Sequence, residues 1–305
     1  MAVMTTNTFS QNNRTGVKLW WGQSYKMHPK EYDLIFDKVM SDGLYEIYVG
    51  MVGTGLVPVK AESEAVSFDA LSQGFTITAT NVEYGLGFKI SDTAIKDGRG
   101  FKLLMAGTKA LARSHRVTKE YNGANVLNRA FQVAYPVGDA LELCSAVHLN
   151  AGGAGGTYQN ELSTAADLSE YAMEQAGIDI NSWEDDRGLP AAIKTNRLII
   201  PPALEYEAER FTESALRPGV ANNDINAIRS TGMFPGGYAV NHYLTDSAAW
   251  FIKTDCDDGM IYQEREKDNF DDDREWDTNN ACYKGTGRYV FLCVNPRGIY
   301  GSPGE

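Results

Sequence analysis

The stretch FKLLMAGTKALARSHRVTKEYNGANVLNRAF, residues 101–131 of the 305-residue chain, is the strongest helical segment in the sequence. It contains no proline and two interior glycines, Gly107 and Gly123. An unbroken helix of this length would span roughly 45 Å. Apolar residues recur at spacings of three, four or seven, which predicts an amphipathic helix lying on a sheet or a domain body. The apolar face carries Leu103, Ala106, Ala110, Val117, Tyr121, Ala124, Leu127 and Phe131, and the other face carries Lys102, Lys109, Arg113, Arg116, Lys119 and Glu120.

The residues before this helix predict a long two-stranded β-hairpin. Apolar side chains alternate over residues 45–51 and again over residues 75–90, where the phase of the alternation changes near Asn81. That change predicts a bulge or a twist in the second strand. Residues 62–72 are then a broad polar tip. Because a two-stranded hairpin is marginal in water, we expect this one to need a partner surface.

The first forty residues predict an N-terminal arm. They mix Asn, Thr and isolated charges with Trp20 and Trp21, and a short helical pattern covers residues 32–39. Exposed aromatic side chains are unfavourable in a monomer. We therefore expect the arm to be extended and to lie across a neighbouring subunit.

The rest of the chain predicts a compact α/β or α+β domain followed by a β-rich end. Thr164 is a plausible N-cap for a helix that ends near residue 180. A strand at 191–200 precedes Pro201-Pro202, which fits the first turn of the next helix. The final strands are predicted at residues 261–265 and 289–294.

Composition limits the classes of function. A net charge of −12 argues against a duplex DNA binder, because such proteins neutralise phosphates with Lys and Arg. The four cysteines form no CxxC pair, so neither a zinc ribbon nor a disulfide scaffold is indicated. The sequence shows neither a signal-peptide pattern nor the ~20 apolar residues of a membrane span. We expect reduced thiols and a cytoplasmic protein with no membrane contact.

The acidic tract of residues 255–277 is the most plausible metal site in the sequence. Asp255 and Glu266 have the spacing of a calcium loop, but Met260 stands where that loop requires glycine, and Gly259 is one residue early. A solvated acidic loop is the favoured interpretation, with a weak metal site as the alternative.

Other motifs give no support to catalysis or cofactor binding. The glycine-rich residues 152–156 lack the spacing of a phosphate loop and are interpreted as a mobile loop. The four histidines, which form no HxxxH motif, are interpreted as structural, and there is no GxSxG elbow. A triad assembled from distant residues stays open. We assign no catalytic, cofactor-binding or metal residue and no cofactor. The histidines are His28, His115, His148 and His242.

Six strings of residues resemble the Mu-like major head subunit family of tailed-phage capsid proteins. The resemblance runs from about Tyr32 over nearly the whole remaining chain, although no single string is diagnostic. The family has a proline after its histidine, whereas Leu149 follows His148 here, which puts a local turn in doubt. The strings are YGLGFKI (84–90), ALARS (110–114), ANVLNRAF (124–131), NDINAIR (223–229), VNHYLTD (240–246) and RGIYGS (297–302).

The resemblance implies an α+β chain with the Hong Kong 97-type capsid fold. Gly98-Arg99-Gly100 would be a hinge before the spine helix. The implied segments are an N-terminal arm at 1–43, an extended hairpin loop at 44–90, a peripheral domain at 91–140 and 253–305 with a spine helix at 101–131, and an axial domain at 141–252.

The resemblance also implies a function without catalysis. The chain would self-assemble into hexamers and pentamers of an icosahedral shell that encloses double-stranded DNA without sequence-specific binding. A separate scaffolding protein and a portal would assist assembly in the bacterial host cytoplasm, and a decoration protein stays open. Some relatives cross-link a loop lysine, but Lys60 has no identifiable partner and no cross-link is expected. The alternatives are an encapsulin-like nanocompartment shell and a metal-dependent hydrolase.

Overall fold

The computed structural model describes residues 6–96, 100–151, 156–217 and 224–305. The proposed Gly98-Arg99 hinge and most of the glycine-rich loop lie outside these residues. The helices are α1 (Thr6–Met27), α2 (Asp92–Lys96), α3 (Gly100–Asn128), α4 (Glu170–Asn181), α5 (Glu205–Glu213) and α6 (Ala227–Thr231). The strands are β1 (Asp37–Met40), β2 (Tyr45–Val52), β3 (Ser72–Thr80), β4 (Val82–Ile90), β5 (His148–Leu149), β6 (Thr157–Tyr158), β7 (Thr195–Ile200), β8 (Tyr238–Val240), β9 (Trp250–Thr254), β10 (Met260–Arg274), β11 (Ala281–Cys293) and β12 (Ile299–Ser302).

Two four-stranded sheets organise the described chain, which confirms the α+β class. The first sheet has the order β1-β10-β11-β4, with the long antiparallel pair β10 and β11 at its centre. Helix α3 packs on this sheet and α1 packs on α3. Aromatic rings fill the contact: Tyr262 stacks on Phe291 at 4.7 Å between ring centroids, and Tyr32 lies 5.1 Å from Tyr262.

The second sheet has the order β12-β9-β7-β8 and its own core. Buried residues of β7 and β9, such as Ile200 and Trp250, pack against Met173 and Ile180 of α4. The strand predicted at 191–200 is confirmed as β7. Helix α4 begins later than expected, because its N-cap is Ser169 and not Thr164. The Ser169 hydroxyl accepts a hydrogen bond from the Ala172 N–H at 3.2 Å.

The long helix predicted at 101–131 is confirmed as α3, but the predicted orientation of its faces is wrong. Arg116, Lys119 and Glu120, which were placed opposite the apolar face, are each 1% exposed. Leu103 and Tyr121, which were placed on the packed face, are exposed. The buried charges are tolerated because β10 supplies the carboxylates that face Lys119, and because Arg116 pairs with Glu120 between the rings of Tyr25 and Tyr32. Helical periodicity alone does not reveal these contacts.

The N-terminal arm is not extended over the described residues. Thr6–Met27 is a helix, and Val17 and Trp21 are buried in a cluster with Leu111 of α3 and Phe270 of β10. The Trp21 ring lies 5.3 Å from the Phe270 ring. The prediction of an arm with exposed aromatic side chains is therefore wrong for Trp21, because α3 of the same chain provides the apolar surface that buries it.

The predicted hairpin is shorter than expected. Strand β2 pairs with β3, whereas β4 pairs with β11 of the first sheet. The change of phase at Asn81 marks the passage between two sheets, not a bulge within one strand. The Asn81 amide donates to Ser41 Oγ at 2.9 Å and accepts from Gln263 Nε2 at 2.8 Å. These bonds fix the passage from β3 to β4 against β10.

The acidic tract is a strand over most of its length, so the prediction of a solvated loop is wrong. Residues 260–274 form β10 and pair with β11. Among the described residues, no group of three or more His, Cys, Asp or Glu side chains is placed to hold a metal. The four cysteines are free thiols. No helix in the described ranges is long and apolar enough to cross a membrane.

Trp21→Ala should destabilise the unassembled protein, because the truncation leaves a cavity between α1 and α3. We expect the free energy of unfolding to fall by about 3 kcal/mol. Urea unfolding followed by tryptophan fluorescence measures this. Leu19→Ala is the matched control, since Leu19 is on the same helix but exposed. Equal effects of the two substitutions would contradict the packing of α1.

Candidate assembly surfaces and the buried ionic cluster

The segment between β2 and β3, residues 53–71, is the most exposed apolar surface described in the chain. Leu56, Val57, Val59 and Phe68 are between 83% and 98% exposed. The predicted polar tip is therefore only part of a longer segment that is strongly apolar. Side chains of this size are rarely left together in water unless they contact a partner.

The base of this hairpin is fixed to the body of the protein. The Tyr48 hydroxyl donates to Gln263 Oε1 of β10 at 2.9 Å, and Ala79 is buried. Ile77 packs against Gly138, where an added Cβ would approach the isoleucine to 3.1 Å. The opposite face of β2 is exposed. The hairpin therefore presents one free face on a rigid base.

A surface ion pair connects the far part of the hairpin to the loop after α4. Arg187 Nη2 lies 2.6 Å from Asp69 Oδ2, and the Gly55 N–H donates to the same oxygen at 2.9 Å. Both side chains of the pair are partly exposed to solvent. Such pairs contribute little to stability, so the segment can leave this position at small cost.

A cluster of buried charges joins α1, α3 and β10; we call it the ionic cluster. Lys119 Nζ of α3 lies 2.8 Å from Asp268 Oδ2 of β10 and 4.7 Å from the centre of the Tyr289 ring. The Tyr25 hydroxyl of α1 donates to the same carboxylate. Burial raises the pKa of Asp268, but its contacts with His115, Lys119 and Tyr25 outweigh burial and bring the pKa to about 2.

The second half of the ionic cluster fixes the turn before β1. Glu120 accepts hydrogen bonds from the backbone N–H of Tyr32 at 3.0 Å and of Glu31 at 3.3 Å. The Arg116 guanidinium lies 3.8 Å from Glu120 and between the rings of Tyr25 and Tyr32, at 5.2 and 5.4 Å. Burial raises the pKa of Glu120 to about 7, although the Tyr32 N–H and Arg116 lower it.

Three of the histidines, His115, His148 and His242, make contacts within the chain. His148 is buried, with Nδ1 2.6 Å from Asp139 Oδ2 and Nε2 3.2 Å from the Leu143 carbonyl oxygen. His242 Nδ1 lies 2.8 Å from Glu31 Oε1. His115 Nδ1 lies 3.8 Å from Asp268 in the ionic cluster. Their geometry is that of residues that position loops and helices.

Comparison with known proteins gives the family. Residues 74–302 match the family described as phage capsid protein, and these residues are most of the chain. This chain belongs to the phage capsid protein family. No curated protein matches its sequence. The exposed apolar segment and the ionic cluster are therefore features of a capsid protein.

Solved structures show the fold of this capsid protein. It superposes on the virus-like particle from Pyrococcus furiosus with a TM-score of 0.56 and 9% identity, covering 94% of this chain and 98% of that chain. It superposes on the procapsid of bacteriophage JBD30 with a TM-score of 0.53 and 14% identity, covering 99% of this chain and 77% of that chain. For Microbacterium phage Oxtober96 the TM-score is 0.52 and the identity 10%, and the superposition covers 91% of this chain and 93% of that chain. The Hong Kong 97-type fold is confirmed, and the capsid protein is a structural subunit of a shell.

Sequence reasoning missed the ionic cluster of this capsid protein. Lys119 and Asp268 are far apart in the sequence, and nothing in their local pattern links them. One signal was available: Arg116, Lys119 and Glu120 lie on the helix face that also carries Ala112, Gly123 and Leu127. Small and apolar residues on a charged face indicate burial.

Lys119→Met should strongly destabilise the capsid protein, because it leaves the Asp268 carboxylate buried without its cation. We expect the free energy of unfolding of the unassembled protein to fall by about 3 kcal/mol. The double variant Lys119→Met with Asp268→Asn should recover most of that loss. Lys30→Met, which removes an exposed pair with Asp33, is the control and should change little. Urea unfolding measures these free energies. An unchanged free energy of unfolding in Lys119→Met would contradict the role of the buried pair.

Glu120 predicts a pH dependence of stability. Its pKa is about 7 in the folded protein against an ordinary value of 4.5, so the folded state binds more protons between these values. The stability it contributes is present below pH 4.5 and is lost as the pH rises through about 7. Glu120→Gln keeps the acceptor for the Tyr32 N–H without a charge. We expect the melting temperature of this variant to gain on that of the wild type between pH 5.5 and 8; parallel pH profiles would contradict this.

Proposed function

We propose that this capsid protein is a major head subunit that assembles into hexamers and pentamers of an icosahedral shell around phage double-stranded DNA. The observation that carries the proposal is the apolar segment at 53–71, which lies beyond the base of the hairpin and remains exposed within its own chain. In a ring of subunits, the segment would lie over the neighbouring copy and bury these side chains there.

The energetics of such a contact favour assembly over a stable monomer. Fully burying one valine, leucine or phenylalanine contributes roughly 1.5–3 kcal/mol, so four or more such side chains provide a substantial interface. Each contact is repeated around a closed ring, and a closed shell combines many rings. Repetition makes the shell far more stable than any single pair of subunits.

The charge of the subunit suits a container. A net charge of −12 gives the chain little attraction for phosphates, so DNA would be enclosed without sequence-specific binding. We also propose a separate scaffolding protein and a portal as assembly partners, in the cytoplasm of the bacterial host. No enzymatic role is proposed, and the 62–72 region, near Lys60, is assigned to non-covalent contacts.

Replacing Leu56, Val57, Val59 and Phe68 with serine should abolish shells, because the neighbour would gain no apolar contact. The variant should stay folded, since these side chains contribute no packing in the monomer. Electron microscopy and sedimentation measure the particles, and thermal unfolding checks the fold. Glu62→Ser with Glu64→Ser is a control in the same segment and should assemble. Normal shells from the fourfold variant would refute the role of the segment.

The contents of the particle distinguish this proposal from an encapsulin-like nanocompartment, which would have the same fold. Particles purified from infected cells should contain nuclease-protected double-stranded DNA of defined length. Particles that contain an enzyme and no genomic DNA would favour the nanocompartment.

A further inference from the structure

The turn between β10 and β11 presents a large aromatic side chain to solvent. Trp276 is 93% exposed, which is unusual for the largest apolar residue type. The turn is ordered by its own hydrogen bonds, from Glu275 N to the Asn280 oxygen at 3.0 Å and from Asn279 N to the Glu275 oxygen at 2.9 Å. A partly exposed ion pair also lies between the turn and β4, with Lys89 Nζ 2.7 Å from Glu275 Oε1. An exposed tryptophan on a fixed turn has the properties of an interface anchor.

The surroundings of this tryptophan are acidic. Asp277 follows it directly in the turn, and Asp271 and Asp273 are exposed in the last residues of β10, together with one cation, Arg274. None of them forms a salt bridge with another described side chain. We call Trp276 and these three carboxylates the acidic tip. Its partner should offer an apolar surface flanked by positive charge.

The first half of α3 provides such a surface. Lys102, Lys109 and Arg113 are exposed, and at about 100° per residue they point within about 40° of one another. Ala106 is exposed about 40° around the helix from Lys102, and Leu103 is exposed about 100° from it. No salt bridge between described residues uses the three cations. We call these five residues the basic stripe.

The acidic tip and the basic stripe lie at the same end of the first sheet. In the antiparallel pair of β4 and β11, Ile90 is opposite Ala281, so β4 ends beside the tip. The Phe88 ring, two residues before that end, packs against Gly107 of α3. The middle of the stripe therefore lies level with the end of β4. One chain thus carries two complementary surfaces side by side.

We propose that two copies of this chain bind reciprocally, with the acidic tip of each copy on the basic stripe of the other. Two surfaces that are complementary and adjacent on one chain can be exchanged by a two-fold rotation, so that each contact occurs twice. Trp276 contacts Leu103 and Ala106 of the partner copy, and the tip carboxylates face its cations. This inference rests on the proposed function in taking a second copy as the partner, and it is separate from the hairpin contact.

The first test compares variants of the full chain in assembly. Trp276→Ser should raise the protein concentration needed for half-maximal shell formation by at least about tenfold, because the anchor is lost. Trp276→Phe should retain most of the assembly. Asp277→Lys and Lys109→Glu should each impair assembly, and the two together should restore it. Wild-type behaviour of Trp276→Ser, or no restoration in the double variant, would overturn the proposal.

The second test does not require shells. Protein carrying Asp277→Cys is mixed with protein carrying Lys109→Cys under mild oxidation, and disulfide-linked dimers are measured on non-reducing gels. We expect the mixture to cross-link at least about tenfold more than wild type, whose native thiols set the background. Cross-linking without shells would refute the proposed function but support this contact. Shells without cross-linking would refute this contact alone.

Discussion

The contact between Lys119 and Asp268 is the interaction on which the rest of the structure depends. It is buried, and it lies where the N-terminal helix, the long helix and the central strand of the first sheet meet. A buried pair adds little net stability compared with apolar packing, but removing one partner is severe. The pair therefore acts mainly by specifying one arrangement. With α1 docked in any other position, Tyr25 could not donate to the carboxylate.

The sequence predicted the helices and strands better than it predicted which side of each element is buried. The long helix was recognisable because its periodicity continues over 29 residues without proline. The buried side of that helix was misjudged because the partners of Arg116 and Lys119 are contributed by segments remote in sequence. The end of the hairpin was misplaced because the change of phase near Asn81 fits a bulge as well as a passage between two sheets, and the tertiary contacts of Asn81 distinguish the two. Trp21 was assigned to the surface because the cluster that buries it combines residues of α1, α3 and β10, which are far apart in the sequence.

The capsid protein combines a well-packed interior with large apolar side chains that remain exposed on its surface. The buried apolar clusters of the described residues form within one chain, while the apolar side chains of residues 53–71 and Trp276 remain exposed. Folding and association are thus separated in the molecule. The interior packs within one chain, whereas the exposed apolar residues are available for contacts with other copies.

The bonds of Asn81 have a mechanical consequence. Asn81 ends the hairpin, and Gln263, its partner, is on β10 only five residues before Asp268. A pull on the hairpin would therefore reach the central strand as shear along its length, close to the ionic cluster. In a shell of such subunits, tension would be carried by β10, which the ionic cluster holds in place. The mechanical strength of the shell would then depend on the interior of each subunit as well as on the contacts between subunits.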